Sequence, residues 1–287
     1  MTGFTNYFAN NALNYVTGQI AMPSLPAVYL ALMTAVGTDA GTGFTEVTGG
    51  SYARVQVAGS VATNAATATS SALISHAAVP SWVIAGMSAY DATTGHVVGT
   101  VLSTGAGTVT LTANAAFAIG SGDTINYSAF LNASGTGPAS LANNAAIAFP
   151  AATANWGTAI AWALYDASSA GNMLFWDWMG NYPWLPATVS LASPGVVTAK
   201  AHGFSAADSV VWSNEYGGTV PTFSQSNFTG ILTVVSPATD TFTVTNSSTA
   251  VNTSATGNGM LRKVNQQAIP SGVTATFASS TLTISLA

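Results

Sequence analysis

The sequence predicts an all-β protein: a β-sandwich-like core with one short N-terminal helix and two small inserted β modules. Three observations support this. Apolar and polar residues alternate over many short stretches, Thr and Val are abundant within them, and Gly, Asn and Ser separate them. Alternation with a period of two places successive side chains on opposite faces of a strand.

The first element is a helix predicted over residues 4–17. Apolar side chains recur there every four residues, at Phe4, Phe8, Ala12 and Val16. Either Thr5 or Thr2 can cap the first turn. Gly18 occupies the position where a glycine commonly ends a helix.

Strands are predicted to follow the helix. The clearest ones cover residues 27–34, 51–59, 158–165, 173–178 and 281–286. The run 27–34 is apolar throughout and has the length of a buried strand. The link 166–172 is rich in turn-forming residues and has hairpin length, so the strands on either side of it should pair.

The two middle stretches are predicted to be separate β modules, residues 70–137 and residues 187–264. The core is then built from residues 1–69, 138–186 and 265–287. Segment 100–112 aligns with segment 233–245 at a constant offset without a gap. Common ancestry of the modules and chance similarity in a chain rich in Thr and Val both remain open. On either interpretation each segment is a strand, a turn and a second strand.

Charge excludes several classes of function. The chain has 4 Lys and Arg against 9 Asp and Glu among 287 residues, a net charge of −5. Nucleic acid and anionic membranes therefore lack a basic surface to bind. A compact monomer of this size exposes roughly 11,000 Å², or about one charge per 900 Å². Because so neutral a surface suits assembly, we expect a homo-oligomer, trimeric or higher.

Other sequence features exclude further chemistry. The chain has no cysteine, so disulfides and thiolate catalysis are absent. No apolar stretch is long enough to span a membrane, and the first residues do not resemble a secretory signal. We expect no membrane insertion.

Candidate catalytic side chains are few. His76, His96 and His202 are widely spaced, and none lies in a metal-binding motif. Asp166 and Asp177 flank several aromatic residues, an arrangement used by glycosidases. Turn capping for Asp166 and a strand-end position for Asp177 are the favoured alternatives. We therefore predict no catalytic residues, no cofactor and no metal site.

A dense aromatic stretch, residues 175–184, is the strongest candidate for a functional surface. Trp176 and Trp178 share parity on the predicted strand, so both indoles should face outward, and Tyr182 and Trp184 should continue this surface. These four residues are predicted to form an assembly patch or a ligand-stacking patch. We favour a subunit contact over sugar stacking.

Several segments resemble the small tail fibre or minor structural proteins of tailed bacteriophage virions. They are residues 5–7, 28–32, 41–54, 148–157, 163–166, 174–176 and 269–286. The resemblance covers about half of the chain and resumes in order across both modules, which the usual short form lacks. The family contributes no catalytic residues, and its Arg54 should be structural.

The resemblance implies a non-enzymatic structural protein of the virion. It would be a surface-exposed, fibre-like or decoration component that self-assembles and attaches to the capsid or tail. Its partners would be copies of itself and other virion proteins, and it would be assembled into particles in the bacterial cytoplasm. The alternative is a tail fibre module that binds a host receptor or carbohydrate such as a cell-surface glycan.

Overall fold

The computed structural model describes residues 3–20, 27–131, 140–213, 230–253 and 256–285. Within these residues one α-helix accompanies 24 β-strands, which confirms the all-β prediction. None of the helical structure in these ranges is long and apolar enough to cross a membrane.

The helix α1 covers Asn6–Val16. Thr5 is its N-cap, because the Thr5 side chain accepts a hydrogen bond from the Phe8 amide. Gly18 follows the helix with a φ of 74°, the left-handed conformation that glycine adopts readily. The alternative cap, Thr2, lies outside the described residues. The predicted start at Phe4 is wrong, because Phe4 pairs with Phe175 in a strand.

The strands are, in chain order, β1 (Gly3–Phe4), β2 (Ala27–Ala35), β3 (Thr45–Glu46), β4 (Val55–Ala62), β5 (Leu73–Ser75), β6 (Ser88–Asp91), β7 (His96–Thr104), β8 (Thr108–Leu111), β9 (Thr124–Ser128), β10 (Ser140–Ala142), β11 (Ile147–Ala151), β12 (Thr158–Ala159), β13 (Ala161–Tyr165), β14 (Met173–Trp178), β15 (Leu185–Val189), β16 (Val196–Thr198), β17 (Ser209–Ser213), β18 (Leu232–Val235), β19 (Thr241–Asn246), β20 (Thr249–Ala250), β21 (Gly257–Val264), β22 (Gln267–Ala268), β23 (Thr274–Phe277) and β24 (Thr283–Ser285).

The chain divides into two compact units. The larger unit comprises residues 2–177 and 268–287, and the smaller unit comprises residues 178–267. The larger unit is built on a sheet in the order β1-β14-β13-β2-β4-β9-β6-β7-β8-β5, with β3 also pairing with β2. Leu30, Leu32 and Met33 of β2 are fully buried, as expected for a central apolar strand.

The smaller unit contains a second sheet, in the order β16-β15-β21-β17-β18-β19-β20. An additional pairing of β16 with β19 closes six of these strands into a ring. Val210, Leu232, Phe242 and Leu261 are among the residues of its hydrophobic core. Regular alternation along β19, with Phe242 and Val244 inward, supplies this core.

Three of the predicted strands differ from those observed. The predicted strand 158–165 is divided into β12 and β13, which pair in different sheets. The stretch 51–54 precedes β4 instead of forming its first half, because Gly49, Gly50 and Ser51 adopt positive φ in a turn. At the C-terminus only Thr283–Ser285 is a strand, and Leu286 lies outside the described residues. In contrast, β14 has the predicted bounds and neighbours β13 in the sheet.

The two predicted modules occupy different positions in the fold. Strands β5 to β9, within residues 70–137, lie in the same sheet as β2 and β4, and β4 pairs directly with β9. The boundary at residue 137 lies outside the described residues. The range 187–264 falls within the smaller unit. The division into a core and two modules stays a prediction, while the strand–turn–strand form of both aligned segments is confirmed by the β7–β8 and β18–β19 pairs.

Candidate assembly and recognition surfaces

Trp176 is buried in the sheet of the larger unit. Its side chain is 4 % exposed. The indole Nε1 donates to Asp39 Oδ1 at 3.3 Å, and the ring packs edge-on against Phe44 at a centroid distance of 5.1 Å. On the other side of β14, Phe175 packs against Phe4 and Trp162. Both faces of the strand are therefore covered.

The outward orientation predicted for the two strand indoles is wrong, since Trp178 is also buried, with 7 % of its surface exposed. Parity correctly places Trp176 and Trp178 on one face, but that face is not solvent-exposed. Tyr182 and Trp184 are half-buried and remain partly accessible. The patch as predicted stays untested as an assembly surface, and its accessible part consists of Tyr182 and Trp184.

Two basic residues of β21 contact the accessible rings of Tyr182 and Trp184. Lys263 Nζ lies 5.3 Å from the Tyr182 ring centroid, and Arg262 Cζ lies 5.8 Å from that of Trp184. Arg262 Nη2 also donates to the Gly180 carbonyl at 2.8 Å. Gly180 has a φ of 88°, and a Cβ there would lie 2.7 Å from the Tyr182 ring. The two cation–π contacts, the hydrogen bond to Gly180 and the close approach at this glycine restrain the segment 180–184.

An ion pair supports Lys263 in this arrangement. Lys263 Nζ lies 2.7 Å from Asp208 Oδ1. Burial by itself would raise the pKa of Asp208, but the hydrogen bonds from Lys263 and from the Ser205 amide outweigh it and lower the pKa. Asp208 therefore stays ionised and keeps the lysine ammonium beside Tyr182.

The helix α1 presents a second accessible apolar surface. None of its residues is buried. Leu13 is 64 % and Val16 is 79 % exposed, and Tyr15 is exposed between them. An 11-residue helix is too short to be stable alone in water and needs an apolar contact. The contact that stacks the Phe8 ring on Phe4, at 4.6 Å, uses a different part of the helix.

A groove lies on one face of the larger unit's sheet. It encloses about 270 Å³. Six side-chain positions on three adjacent strands form most of its lining: Ala58, Ser60, Ser88, Tyr90, Asn126 and Ser128. Its lining residues carry no ionised group.

Arg54 is a structural residue, as the sequence predicts. Its guanidinium donates to both carboxylate oxygens of Glu46, at 2.7–3.2 Å, and to the carbonyls of Ala167 and Ala170 at 2.8 Å. It also stacks on Tyr165, with Cζ 3.5 Å from the ring centroid. Burial disfavours the charge, but the hydrogen bonds and charge of Glu46 outweigh it and raise the pKa of Arg54.

The three histidines occupy separate structural settings. His76 Nε2 lies 2.7 Å from Tyr127 Oη in the core, and His96 stacks on Phe117 at 4.1 Å. His202 Nδ1 accepts from the Phe204 amide at 2.9 Å. Among the described residues no group of three His, Asp or Glu side chains could hold a metal ion.

Asp166 has the turn role favoured by the sequence. Its two carboxylate oxygens accept hydrogen bonds from the backbone and side-chain amides of Asn172, at 2.6 and 2.8 Å. This Asp–Asn contact closes the hairpin between β13 and β14. Asp177 is partly buried at the end of β14.

Comparison of the sequence with models of protein families shows to which family the chain belongs. The model of the family described as Podophage GP4 fiber I protein gp80 matches residues 3–131 and 124–181, more than half of the 287 residues. The chain belongs to this family. As a gp80 fibre protein it is a structural component of a bacteriophage virion. No curated protein matches the chain.

The match to the gp80 fibre family also bears on the organisation of the chain. It includes the whole of the first predicted module, residues 70–137, and ends at residue 181, ahead of β15. The surface of α1 and the groove both lie within the matched range, whereas Tyr182 and Trp184 lie just beyond it.

Sequence reasoning missed both surfaces within the matched range. The helix pattern showed that apolar residues recur every four positions but not which of them stay exposed. In the structure, exposed Leu13 and Val16 lie three residues apart, on one side of the helix. The groove draws its residues from strands that are distant in sequence, so only the strand pairing reveals it.

Proposed function

We propose that this protein is a non-enzymatic, surface-exposed fibre or decoration component that self-assembles and attaches to the phage capsid or tail. The observation that carries the proposal is α1, a short helix that buries none of its residues and exposes Leu13 and Val16. A second copy of the chain supplies the missing apolar contact. The low charge of the chain supports this, since few charges must be desolvated in a subunit contact.

Tyr182 and Trp184 offer a further contact for other virion proteins or a second copy. Aromatic rings held in a fixed conformation lose little entropy on binding, which makes them effective anchors of interfaces. Particle assembly in the bacterial cytoplasm, trimeric or higher symmetry and attachment to the capsid or tail are parts of the same proposal.

Replacing Leu13 and Val16 together by glutamine should dissociate the oligomer. Burying two such side chains contributes about 3–6 kcal/mol per copy, so we expect the dissociation constant to rise at least roughly a hundredfold. Glutamine is a good helix former, so α1 itself is retained. Light scattering at micromolar concentration measures the change, with Asn10→Gln on an exposed position of the same helix as control.

A wild-type mass of 28.8 kDa in solution, together with no cross-linking between copies in intact particles, would contradict the assembly proposal. If the Leu13 and Val16 variant stays oligomeric but Tyr182→Ala with Trp184→Ala dissociates, the aromatic segment is the main contact.

A second candidate function is binding of a host receptor or carbohydrate. The observation that favours it is the uncharged groove on the sheet of the larger unit. This function is compatible with assembly, because the groove and α1 are formed by different residues. Retention of the protein on immobilised host-cell glycans tests it.

A further inference from the structure

We propose that the groove on β4, β9 and β6 binds one ring of an uncharged saccharide. This inference rests on the second candidate function and assigns its site. A volume of about 270 Å³ lies just below the usual range of ligand pockets and suits one sugar ring.

Strand register brings the lining residues together in two rows. Ala58, Ser128 and Ser88 are direct partners across β4, β9 and β6. The second row lies two positions away on each strand, where Ser60, Asn126 and Tyr90 are partners in the same way. Because residues two apart share a face, all six side chains lie on one side of the sheet. The small side chains of the first row leave the space that forms the groove.

Ser88 contributes a polar group to the groove. The residue is 6 % exposed and lines the groove, and its hydroxyl makes no side-chain hydrogen bond within the described part of the chain. A serine hydroxyl both donates and accepts, so it has the capacity to pair with a ligand hydroxyl. Ser88 therefore supplies a donor and an acceptor at the floor of the groove.

Neighbouring groups have unused hydrogen-bonding capacity as well. Asn126 Oδ1 accepts from the Ser60 hydroxyl at 2.6 Å, which leaves the two Nδ2 hydrogens available. Ser128 Oγ accepts from the Phe130 amide at 3.1 Å, and its own hydrogen is available. Convergent donors and acceptors from Ser88, Asn126 and Ser128 match the hydroxyl groups around a sugar ring.

The apolar lining residues and the lack of charged side chains indicate which class of ligand the groove binds. The half-buried ring of Tyr90 lies at one end of the groove, and Val28 and Ala58 line its other side. Sugar rings have apolar C–H faces that pack on such surfaces. Since the lining contains no Lys, Arg or His, the groove offers no positive charge to balance a carboxylate or phosphate, and a neutral saccharide is favoured.

The floor of the groove is supported by aromatic residues on the other face of the sheet. On the opposite face of β9, Tyr127 is fully buried, and its hydroxyl lies 2.7 Å from His76 Nε2. Trp82 packs edge-on against Tyr127 at 6.5 Å, and a Cβ at Gly59 would lie 2.9 Å from the Trp82 ring. Support of this kind lowers the entropy lost on ligand binding.

Saturation-transfer NMR titrations of the assembled full chain test the proposal. The probes are glucose, galactose and N-acetylglucosamine, with N-acetylneuraminic acid as a charged comparison. We expect at least one neutral sugar to bind the wild type, with an affinity in roughly the millimolar range. Ser88→Val fills the floor and removes the hydroxyl, and Tyr90→Ala removes the ring. Each should weaken binding at least about tenfold.

Asn114→Ala changes an exposed residue outside the groove and should bind as the wild type does. If Ser88→Val fails to fold, Ala58→Leu fills the groove from the neighbouring strand instead. Unchanged affinity in the folded groove variants overturns the site while leaving receptor binding intact. Absence of binding to any neutral probe by the wild type overturns the site as well, and retention on host-cell glycans then shows whether receptor binding survives.

Discussion

Replacing Arg54 by alanine should lower the free energy of unfolding of the larger unit by about 3–5 kcal/mol. The Arg54 side chain is 7 % exposed and pairs with a Glu46 side chain that is 22 % exposed. Its loss leaves the Glu46 carboxylate without its cation and two backbone carbonyls without a donor. Urea denaturation followed by tryptophan fluorescence measures the effect.

Three variants separate the causes of this loss. Arg54→Lys keeps the charge but cannot form the forked contact with Glu46, so it should lose most of the same stability. Arg54→Met with Glu46→Gln should lose less than Arg54→Ala, since no unpaired charge is left behind. Lys200→Ala removes an exposed cation and should change little. Equal stability of Arg54→Ala and Lys200→Ala would contradict a structural role for Arg54.

Replacing Phe242 by alanine should destabilise the smaller unit by about 3–5 kcal/mol. Its side chain is 2 % exposed and packs against His202 and Phe204 at centroid distances of 4.9 and 5.7 Å. If the range 187–264 is an inserted module, only one of two thermal transitions should shift. Differential scanning calorimetry resolves the two.

Phe149→Ala is the matched variant in the larger unit, where Phe149 is also 2 % exposed. It should shift the other transition. A chain in which residues 187–264 are replaced by a short Gly/Ser link should keep the transition of the larger unit. One transition that moves equally in both phenylalanine variants would show that the chain unfolds as one cooperative unit, and the predicted division would be wrong.

Local patterns predicted much of the fold. The bounds of β14, the apolar strand β2, the hairpin closed by Asp166 and the cap at Thr5 all follow from side chains close in sequence. Such features depend on periodicity, turn residues and capping, which a single sequence shows directly.

Contacts between distant residues account for what the sequence could not predict. Phe4 lies in a strand and not in the predicted helix because it pairs with Phe175. Trp176 donates a hydrogen bond to Asp39, which lies 137 positions earlier in the chain. The alternation of side chains along a strand predicted that Trp176 and Trp178 share one face. It could not predict that other residues cover that face. The groove likewise exists only because β4, β9 and β6 are neighbours.

Gold labelling of intact phage particles, with an antibody raised against the smaller unit, tests the central claim most directly. We expect label on the outside of the particle, at the tail or capsid surface, with several copies at each labelled position. Electron micrographs of purified particles would show it. Particles without label, from a lysate in which the protein is abundant, would contradict the proposal that this chain is a surface-exposed component of the virion.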